Sequence, residues 1–189
     1  MKNRYEMRFS GSGGQGVILA SVIFAEAAII SGINAVQSQS YGPEARGGMC
    51  KAETIISRDS IDFSKPICPG FLLALTQKAL DKFLPETREN AVIVADASLN
   101  IPENAGNKKL VLLPILKTAG EDIGKAFTAN IVAVGAINSL LGLFDRETLT
   151  EAVKRHVPPG SEALNEKALQ AGYELVDRQM AESCRVYIV

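Results

Sequence analysis

The sequence predicts an α/β fold in which a mostly parallel sheet is flanked by helices in three layers. Strand-like and helix-like segments alternate along the chain, and this order is typical of parallel strands joined by helical crossovers. The first strand and helix are separated by a glycine cluster, the arrangement that opens a βαβ unit. Two continuous apolar runs, at 91–95 and 110–113, indicate strands that are covered on both faces. Together these features predict a Rossmann-like domain.

The first half of the chain supplies three predicted strands and one helix. Polar and apolar residues alternate at 5–9, and an apolar stretch without proline at 17–31 predicts a buried helix with Gly32 as its C-cap. We expect the next strands at 33–37 and 49–56. The polar stretch between them, 38–48, is predicted to be a loop because it is rich in serine, glycine and proline.

The second half of the chain follows the same alternation after a break at Pro66 and Pro69. The patterns predict strands at 71–76, 91–95 and 110–113, and helices at 77–84, 128–143, 146–155 and 162–180. The last two helices are amphipathic and are separated by a Val-Pro-Pro-Gly stretch at 157–160. The sequence contains neither a repeat nor a long linker, so we expect a single domain over 1–189.

The composition is that of a soluble globular protein. With 47% hydrophobic and 22% charged residues, the chain of 189 residues can bury a substantial core. Twenty Lys and Arg against 21 Asp and Glu give a net charge of -1, so no overall charge draws the protein to nucleic acid or an anionic membrane. The uncharged run at 126–144 contains several polar residues and is expected to be a buried helix rather than a membrane span.

Cysteine and histidine usage limits the metal chemistry of the chain. The three cysteines, Cys50, Cys68 and Cys184, are far apart and form no CxxC pair, which excludes an iron–sulfur ligand run and a four-cysteine zinc site. His156 is the single histidine and cannot build a multi-histidine centre. The odd cysteine count and the absence of a signal-peptide pattern at the start predict a cytoplasmic protein.

The glycine cluster is the first candidate site. It follows a predicted strand, precedes a predicted helix and satisfies the GxGxxG pattern; its residues are Gly11, Ser12, Gly13, Gly14, Gln15 and Gly16. Such a turn lets backbone amides approach an anion at a helix N-terminus. The second strand ends without the carboxylate that binds a dinucleotide ribose, and no Gly-Lys-Ser/Thr follows, so NAD and a P-loop nucleotide are both disfavoured. The alternative is that the glycines only allow close packing of strand and helix.

The polar loop is the second candidate site. Turns at both ends hold it in a fixed shape, and its candidate residues are Tyr41, Gly42, Pro43, Glu44, Arg46, Gly47 and Gly48. A loop at the C-terminal edge of a parallel sheet lies beside the glycine turn, where ligands bind in open α/β sheets. Arg46 has the geometry to grip a phosphate or carboxylate, with Glu44 orienting it. The alternative is a loop that contacts a partner subunit.

Other polar residues are weaker candidates. Asp96, at the end of an apolar strand, is either a ligand contact or a helix N-cap. The remaining residues are expected to be structural: Asn130 and Asn138 as hydrogen-bonded core amides, His156 as a cation at a helix end, and Cys50 and Cys68 as small core residues.

The two motifs together resemble the gamma subunit of 2-oxoacid:ferredoxin oxidoreductases. The resemblance rests on the glycine cluster 11–16, the Ser-Tyr-Gly-Pro-Glu-Ala-Arg-Gly-Gly segment 40–48 and the later Asn-Ile-Val-Ala-Val-Gly segment 130–135, and it covers essentially the whole chain. A separate subunit of this length without a ferredoxin-like extension is most similar to the 2-oxoglutarate branch. The resemblance implies a complex that oxidises a 2-oxoacid with thiamine diphosphate, passes electrons through iron–sulfur clusters to ferredoxin, and transfers the acyl group to coenzyme A.

The resemblance also implies a division of labour among subunits. This sequence has no Gly-Asp-Gly element followed by Asn for a magnesium–diphosphate and no cysteine run for a cluster. The alpha, beta and, where present, delta subunits are therefore expected to carry thiamine diphosphate, Mg²⁺ and the iron–sulfur clusters. The gamma chain, inactive alone, is expected to bind coenzyme A through the glycine cluster and the polar loop.

Three alternatives remain open from the sequence. In the first, the chain is a non-catalytic scaffold of the same complex. In the second, it is a subunit of the pyruvate or branched-chain version of the complex. In the third, it is an independent dinucleotide-binding enzyme, which the missing ribose carboxylate disfavours. In isolation the chain is either a monomer or a homodimer.

Overall fold

The computed structural model describes residues 3–41, 49–102 and 105–182. Within them the strands are β1 (Arg4–Ser12), β2 (Asn34–Tyr41), β3 (Met49–Ser57), β4 (Phe71–Ala74), β5 (Val92–Asp96) and β6 (Lys109–Leu113). The α-helices are α1 (Val17–Ile30), α2 (Gln77–Phe83), α3 (Ile115–Lys117), α4 (Ala129–Leu141), α5 (Arg146–His156) and α6 (Glu162–Glu182). A π-helical turn over Thr118–Asp122 follows α3, and a 3₁₀ turn over Ala126–Thr128 precedes α4.

The strands form one mixed sheet in the order β2-β3-β1-β4-β5-β6. Strands β1, β4, β5 and β6 are parallel, and β3 is antiparallel to both of its neighbours, β1 and β2. Strand β2 therefore runs in the same direction as β1, and β3 is the one described strand that opposes the rest. The predicted α/β fold with a mostly parallel sheet is confirmed.

Helices cover both faces of the sheet. On one face, side chains of α1, α4, α5 and α6 join the larger core with Phe9, Phe71 and Leu73. On the other face, α2 packs with the alternate strand residues Leu72 and Ile93 in a smaller core. Successive strand residues point to opposite faces, so a sheet covered on both sides needs the continuous apolar runs found in β4 and β5.

Helices α4 and α6 approach each other closely through two glycines. A Cβ atom added at Gly135 would lie 2.1 Å from the Leu169 carbonyl oxygen, and one at Gly172 would lie 2.1 Å from the Val132 carbonyl oxygen. Only the absence of both side chains permits this backbone contact. None of the described helices is long and apolar enough to span a membrane, and α4, which the uncharged run predicts, lies in the core.

A buried ion-pair cluster lies on the face of the sheet that α2 covers. Arg8 on β1 is 3% exposed, and its guanidinium donates to Glu53 Oε1 from Nε at 2.8 Å and ion-pairs with it from Nη2 at 2.7 Å. It also pairs with Glu86 and lies over the Phe83 ring, 5.1 Å from the centroid. This cluster was not among the features predicted from the sequence.

Two predicted boundaries are wrong at the edge where the candidate sites lie. Residues 38–41, predicted as loop, belong to β2, whose pairing with β3 continues to Tyr41 opposite Cys50. Strand β1 extends through Gly11 and Ser12, which pair with Cys50 and Met49. The glycine cluster therefore begins as a strand, and the turn itself spans 13–16.

Candidate functional site

The glycine turn connects the end of β1 to the start of α1. The backbone N–H of Gln15 donates to the Ser12 carbonyl at 3.2 Å, and the Gln15 side chain accepts from the Ser12 N–H at 2.7 Å. The same side chain reaches the Leu75 carbonyl at 3.5 Å. Gln15 therefore stabilises the turn, and its side-chain amide is already hydrogen-bonded within the protein.

The turn presents backbone rather than side chains to solvent. Gly13 and Gly14 are exposed, and Gly14 and Gly16 have φ angles of 96° and 70°, a region that favours glycine. Gly16 is the N-cap of α1, makes no side-chain capping bond, and no acidic residue follows in the first turn. The N–H groups of residues 17–19 consequently have no acceptor inside the helix, and the positive end of the helix dipole is not neutralised.

Asn130 contacts this turn from the first turn of α4. Its Nδ2 donates to the Gly16 carbonyl oxygen at 3.3 Å, and the residue is 4% exposed. A Cβ atom at Gly16 would lie 2.5 Å from Nδ2 and 2.7 Å from Cγ of the same amide. The prediction that Asn130 is a hydrogen-bonded core amide holds, but the contact with the glycine turn was missed. The sequence signals were an amide in a mostly apolar helix and the place of Asn130 at the start of the segment 130–135 that carries the family resemblance.

Asn138, by contrast, serves the fold alone. Its side chain donates to the Phe144 carbonyl at 2.9 Å and accepts from the Phe144 N–H at 3.1 Å, which fixes the end of α4. Its Nδ2 also lies 3.2 Å from the Tyr173 hydroxyl oxygen on α6. The predicted structural role of Asn138 is confirmed.

The polar loop lies mostly outside the described residues. Tyr41 ends β2, whereas Gly42, Pro43, Glu44, Arg46, Gly47 and Gly48 fall in the segment 42–48 that the structure does not describe. The residues flanking this segment are placed: Tyr41 pairs with Cys50, and Met49 pairs with Ser12 at the end of β1. Both ends of the loop thus belong to the same edge of the sheet as the glycine turn. Contact between the loop and the turn stays a prediction.

Asp96 joins two parts of the fold through its carboxylate. Its Oδ1 accepts from the Ser98 N–H at 3.0 Å, and its Oδ2 accepts from the Leu116 N–H at 2.8 Å. These bonds tie the end of β5 to the second residue of α3, whose N-cap is Pro114. The prediction of Asp96 as a helix N-cap is therefore wrong, because the chain forms a turn after β5, and the observed role of the residue is structural. Both carboxylate oxygens are engaged in the fold.

The remaining candidates are divided between core and surface. Cys50 is buried, and burial raises the pKa of its thiol, whereas the prediction that Cys68 is a core residue is wrong because it is exposed between β3 and β4. His156 lies in the last turn of α5, where its Nε2 is 3.5 Å from Glu26. Arg155, which hydrogen-bonds Glu26, lowers the pKa of that carboxyl. Of these residues, Cys50 lies beside both motifs, since it pairs with Gly11 and with Tyr41.

Residues 6–175 match the family of pyruvate ferredoxin/flavodoxin oxidoreductases. The 2-oxoglutarate synthase subunit KorC of Methanocaldococcus jannaschii is 40% identical over 178 residues, which is 93% of this chain and 95% of that protein.

Two solved structures have the same fold. The gamma subunit of a keto/oxoacid ferredoxin oxidoreductase from Geobacter sulfurreducens is 46% identical, with a TM-score of 0.81 and coverage of 92% of this chain and 99% of that one. A 2-oxoglutarate:ferredoxin oxidoreductase from Magnetococcus marinus, solved with 2-oxoglutarate, coenzyme A and succinyl-CoA bound, has a TM-score of 0.83. It is 19% identical, and the match covers 94% of this chain and 32% of that one, so it bears on the fold alone.

Proposed function

The chain belongs to the pyruvate ferredoxin/flavodoxin oxidoreductase family, and from that premise we propose that it is the gamma subunit of a 2-oxoglutarate:ferredoxin oxidoreductase. Such a complex converts a 2-oxoacid by oxidative decarboxylation to its acyl-CoA thioester. The proposal is supported by near full-length similarity, at 40% identity, to a 2-oxoglutarate synthase subunit. The whole chain, 1–189, acts as one domain of a cytoplasmic complex.

The redox groups are assigned to partner subunits. The sequence contains neither a magnesium–diphosphate motif nor a cysteine run for a cluster. Thiamine diphosphate, Mg²⁺ and the iron–sulfur clusters therefore reside on the alpha, beta and, where present, delta subunits, and ferredoxin receives its electrons from them. The gamma chain is inactive alone and is either a monomer or a homodimer until it assembles.

The contribution of this chain is a binding site for the phosphate end of coenzyme A. The observation that carries this role is the exposed glycine turn at the uncapped N-terminus of α1. Free N–H groups and an unopposed helix dipole are what a phosphate requires. The bound coenzyme A in the Magnetococcus marinus complex agrees with a ligand of this class, although that protein shares the fold alone.

Each motif has a distinct task in this proposal. Coenzyme A, when bound, supplies the thiol that accepts the acyl group. The N–H groups of residues 17–19 hold a phosphate oxygen, and Gly13 and Gly14 let the phosphate approach the backbone because they carry no side chain. Arg46 makes a bidentate, charge-assisted contact with the same ligand, and Glu44 orients Arg46.

A matched pair of substitutions tests this site. Gly13 is exposed and does not have a positive φ, so it tolerates a side chain. Gly13→Asp and Gly13→Asn have nearly the same shape and differ in charge. A carboxylate roughly 6 Å from a phosphate costs about 1–3 kcal/mol at an effective dielectric between that of a protein surface and water. We therefore expect Gly13→Asp to raise the KM for coenzyme A in the assembled complex at least about fivefold over Gly13→Asn, with an unchanged KM for the 2-oxoacid.

Arg46→Ala is the companion test for the second motif. It should raise the KM for coenzyme A in the same assay because a charge-assisted contact is lost. Equal KM values for coenzyme A in Gly13→Asp, Gly13→Asn and the wild type would remove the turn from the site. An unchanged value in Arg46→Ala would remove the loop.

A scaffold role is the second candidate, and exposed apolar side chains favour it. Phe63 and Ile67, four residues apart in the segment between β3 and β4, are 78% and 89% exposed, and a partner subunit that covered both would remove their apolar surface from water. If scaffolding is the whole role, the coenzyme A variants keep wild-type kinetics, and Phe63→Ser with Ile67→Ser abolishes assembly on size-exclusion chromatography. Assays with 2-oxoglutarate, pyruvate and a branched-chain 2-oxoacid identify the substrate.

A further inference from the structure

Asn130 occupies the place that a capping side chain would take at the start of α1. In most helices the N-cap side chain bonds the N–H of the second or third helical residue and so fills the donors there. At Gly16 no such side chain exists, and its Cβ position lies 2.5 Å from Nδ2 of Asn130. The side-chain amide of Asn130, which belongs to α4 and is distant only in sequence, therefore occupies the space beside the N-cap.

The hydrogen bond that Asn130 makes differs from an ordinary cap in one respect. Its Nδ2 donates to the Gly16 carbonyl, which also accepts the first helical bond from the Ala20 N–H at 3.0 Å. The amide thus holds the backbone of the N-cap without bonding the free N–H groups of the helix.

The helix that carries Asn130 is held rigidly. Residues 129–138 of α4 are buried, and the Gly135–Gly172 approach to α6 leaves no room for α4 to shift toward it. A group on such an element can define the position of the turn to a fraction of an ångström, whereas a group on a surface loop cannot.

We infer that Asn130 is the positioning residue of the coenzyme A site: it fixes Gly16 and α1 in the binding geometry while leaving the helix N–H groups free for the phosphate. The inference rests on the proposed function of the glycine turn. It assigns to Asn130, which belongs to neither the glycine cluster nor the polar loop, an effect on the affinity for a phosphate-bearing ligand that acts through the position of Gly16.

Asn130→Asp in the assembled complex is the direct test. The substitution keeps the side-chain shape, replaces the donor by a carboxylate, and places negative charge beside the phosphate. We expect the KM for coenzyme A to rise about tenfold, from one lost hydrogen bond and added repulsion. The KM for the 2-oxoacid should stay unchanged. A carboxylate near a helix N-terminus is favourable for the fold, so the melting temperature should not fall in proportion.

Asn138→Asp is the matched control on the same helix. It makes the same chemical change at an amide that serves the fold alone, so it should lower the melting temperature and leave the KM for coenzyme A unchanged. If Asn130→Asp fails to assemble, Asn130→Ser gives the same comparison with a smaller, neutral side chain. A KM for coenzyme A that is unchanged, or that shifts equally in the variants of both asparagines, overturns the inference.

The glycine variants separate this inference from the proposed function. If Gly13→Asp raises the KM for coenzyme A and the Asn130 variants do not, the turn binds the ligand and Asn130 does not position it. If neither raises it, the proposed site itself is wrong.

Discussion

The contact between α4 and α6 makes Gly172→Ala a severe substitution, although it adds only one methyl group. The new Cβ would lie 2.1 Å from the Val132 carbonyl oxygen, 2.8 Å from the Ala136 nitrogen and 3.0 Å from the Gly135 Cα. All three atoms belong to the backbone of α4, so no side chain can rotate away. The helices must separate by roughly 1 Å to reach an ordinary carbon–oxygen contact distance.

The cost follows from that separation. A gap of 0.5–1 Å forfeits about a quarter to a half of the dispersion energy of the atoms facing it, and an added methyl in a packed core costs about 1–3 kcal/mol or more. Alanine is about 1 kcal/mol more favourable than glycine inside a helix, and this difference offsets part of the cost. Because all three close contacts are with backbone atoms, we expect the upper part of the remaining range, a net destabilisation of about 1–2 kcal/mol, which corresponds to a fall in melting temperature of about 2–8 °C for a chain of this size.

Thermal unfolding of the purified chain followed by circular dichroism measures this loss. Gly120→Ala is the control, since it adds the same methyl in a helical turn where nothing lies within 4 Å; its melting temperature should equal or exceed that of the wild type. Gly135→Ala should resemble Gly172→Ala, and the double variant should cost less than the sum because the first substitution already separates the helices. A loss below about 1 kcal/mol in Gly172→Ala would refute the reasoning.

Two further predictions concern charged side chains. Glu53→Gln leaves the buried Arg8 with Glu86 as its remaining carboxylate partner; it should cost about 2–4 kcal/mol in urea unfolding, and Arg8→Met combined with Glu53→Leu should recover most of it. A single variant as stable as the wild type would contradict this expectation. Hydrogen bonds from Thr148 lower the pKa of Asp145, the N-cap of α5, so the carboxylate stabilises the fold above the unfolded pKa near 3.9 and loses this effect as the pH falls through the lower folded value. The melting temperature of Asp145→Ala should therefore lie below that of the wild type at pH 7, and the gap should close in acid; a gap independent of pH would exclude the carboxylate charge as its cause.

Elements with a strong local signal could be predicted from the sequence. The strands covered on both faces leave uninterrupted apolar runs, and Gly32 ends α1 as predicted, with a φ of 69° and a bond from the Ile33 N–H to the Ala28 carbonyl. Both features depend on residues that are close together in the sequence. A run of apolar residues indicates a strand covered on both faces, and the conformation of a single glycine ends a helix.

Features that depend on distant residues could not be predicted. The end of β2 reads Gln-Ser-Gln-Ser-Tyr, and as an edge strand it needs no apolar alternation, so only its pairing with β3 distinguishes it from a loop. The contact between Asn130 and Gly16 joins residues 114 positions apart, and nothing in either local pattern points to the other. The helical turns after Pro114 were missed because the carboxylate that bonds their Leu116 N–H belongs to Asp96 on β5, 20 residues earlier in the chain.

The start of a helix shows whether the N–H groups of its first turn are bonded by a capping side chain or are free to bond a ligand. Thr76 caps α2 and Asp145 caps α5 by bonding an N–H of the first turn, and each such cap contributes about 1 kcal/mol. Helix α1 lacks this contribution but does not need it, because residues on several of its sides, Val17, Ala20, Ile23 and Phe24 among them, are buried. The fold thus tolerates free N–H groups at the start of α1, which follows the exposed glycine turn. A side chain at Gly16 that bonded these N–H groups would collide with Asn130. Helices α3 and α4 also start without a side-chain cap, so the proposed binding site rests on free N–H groups beside an exposed glycine turn and not on the missing cap alone. Close packing applies to two of the glycines as well, since a Cβ atom at Gly11 or Gly16 would lie 2.5 Å from a neighbouring side chain.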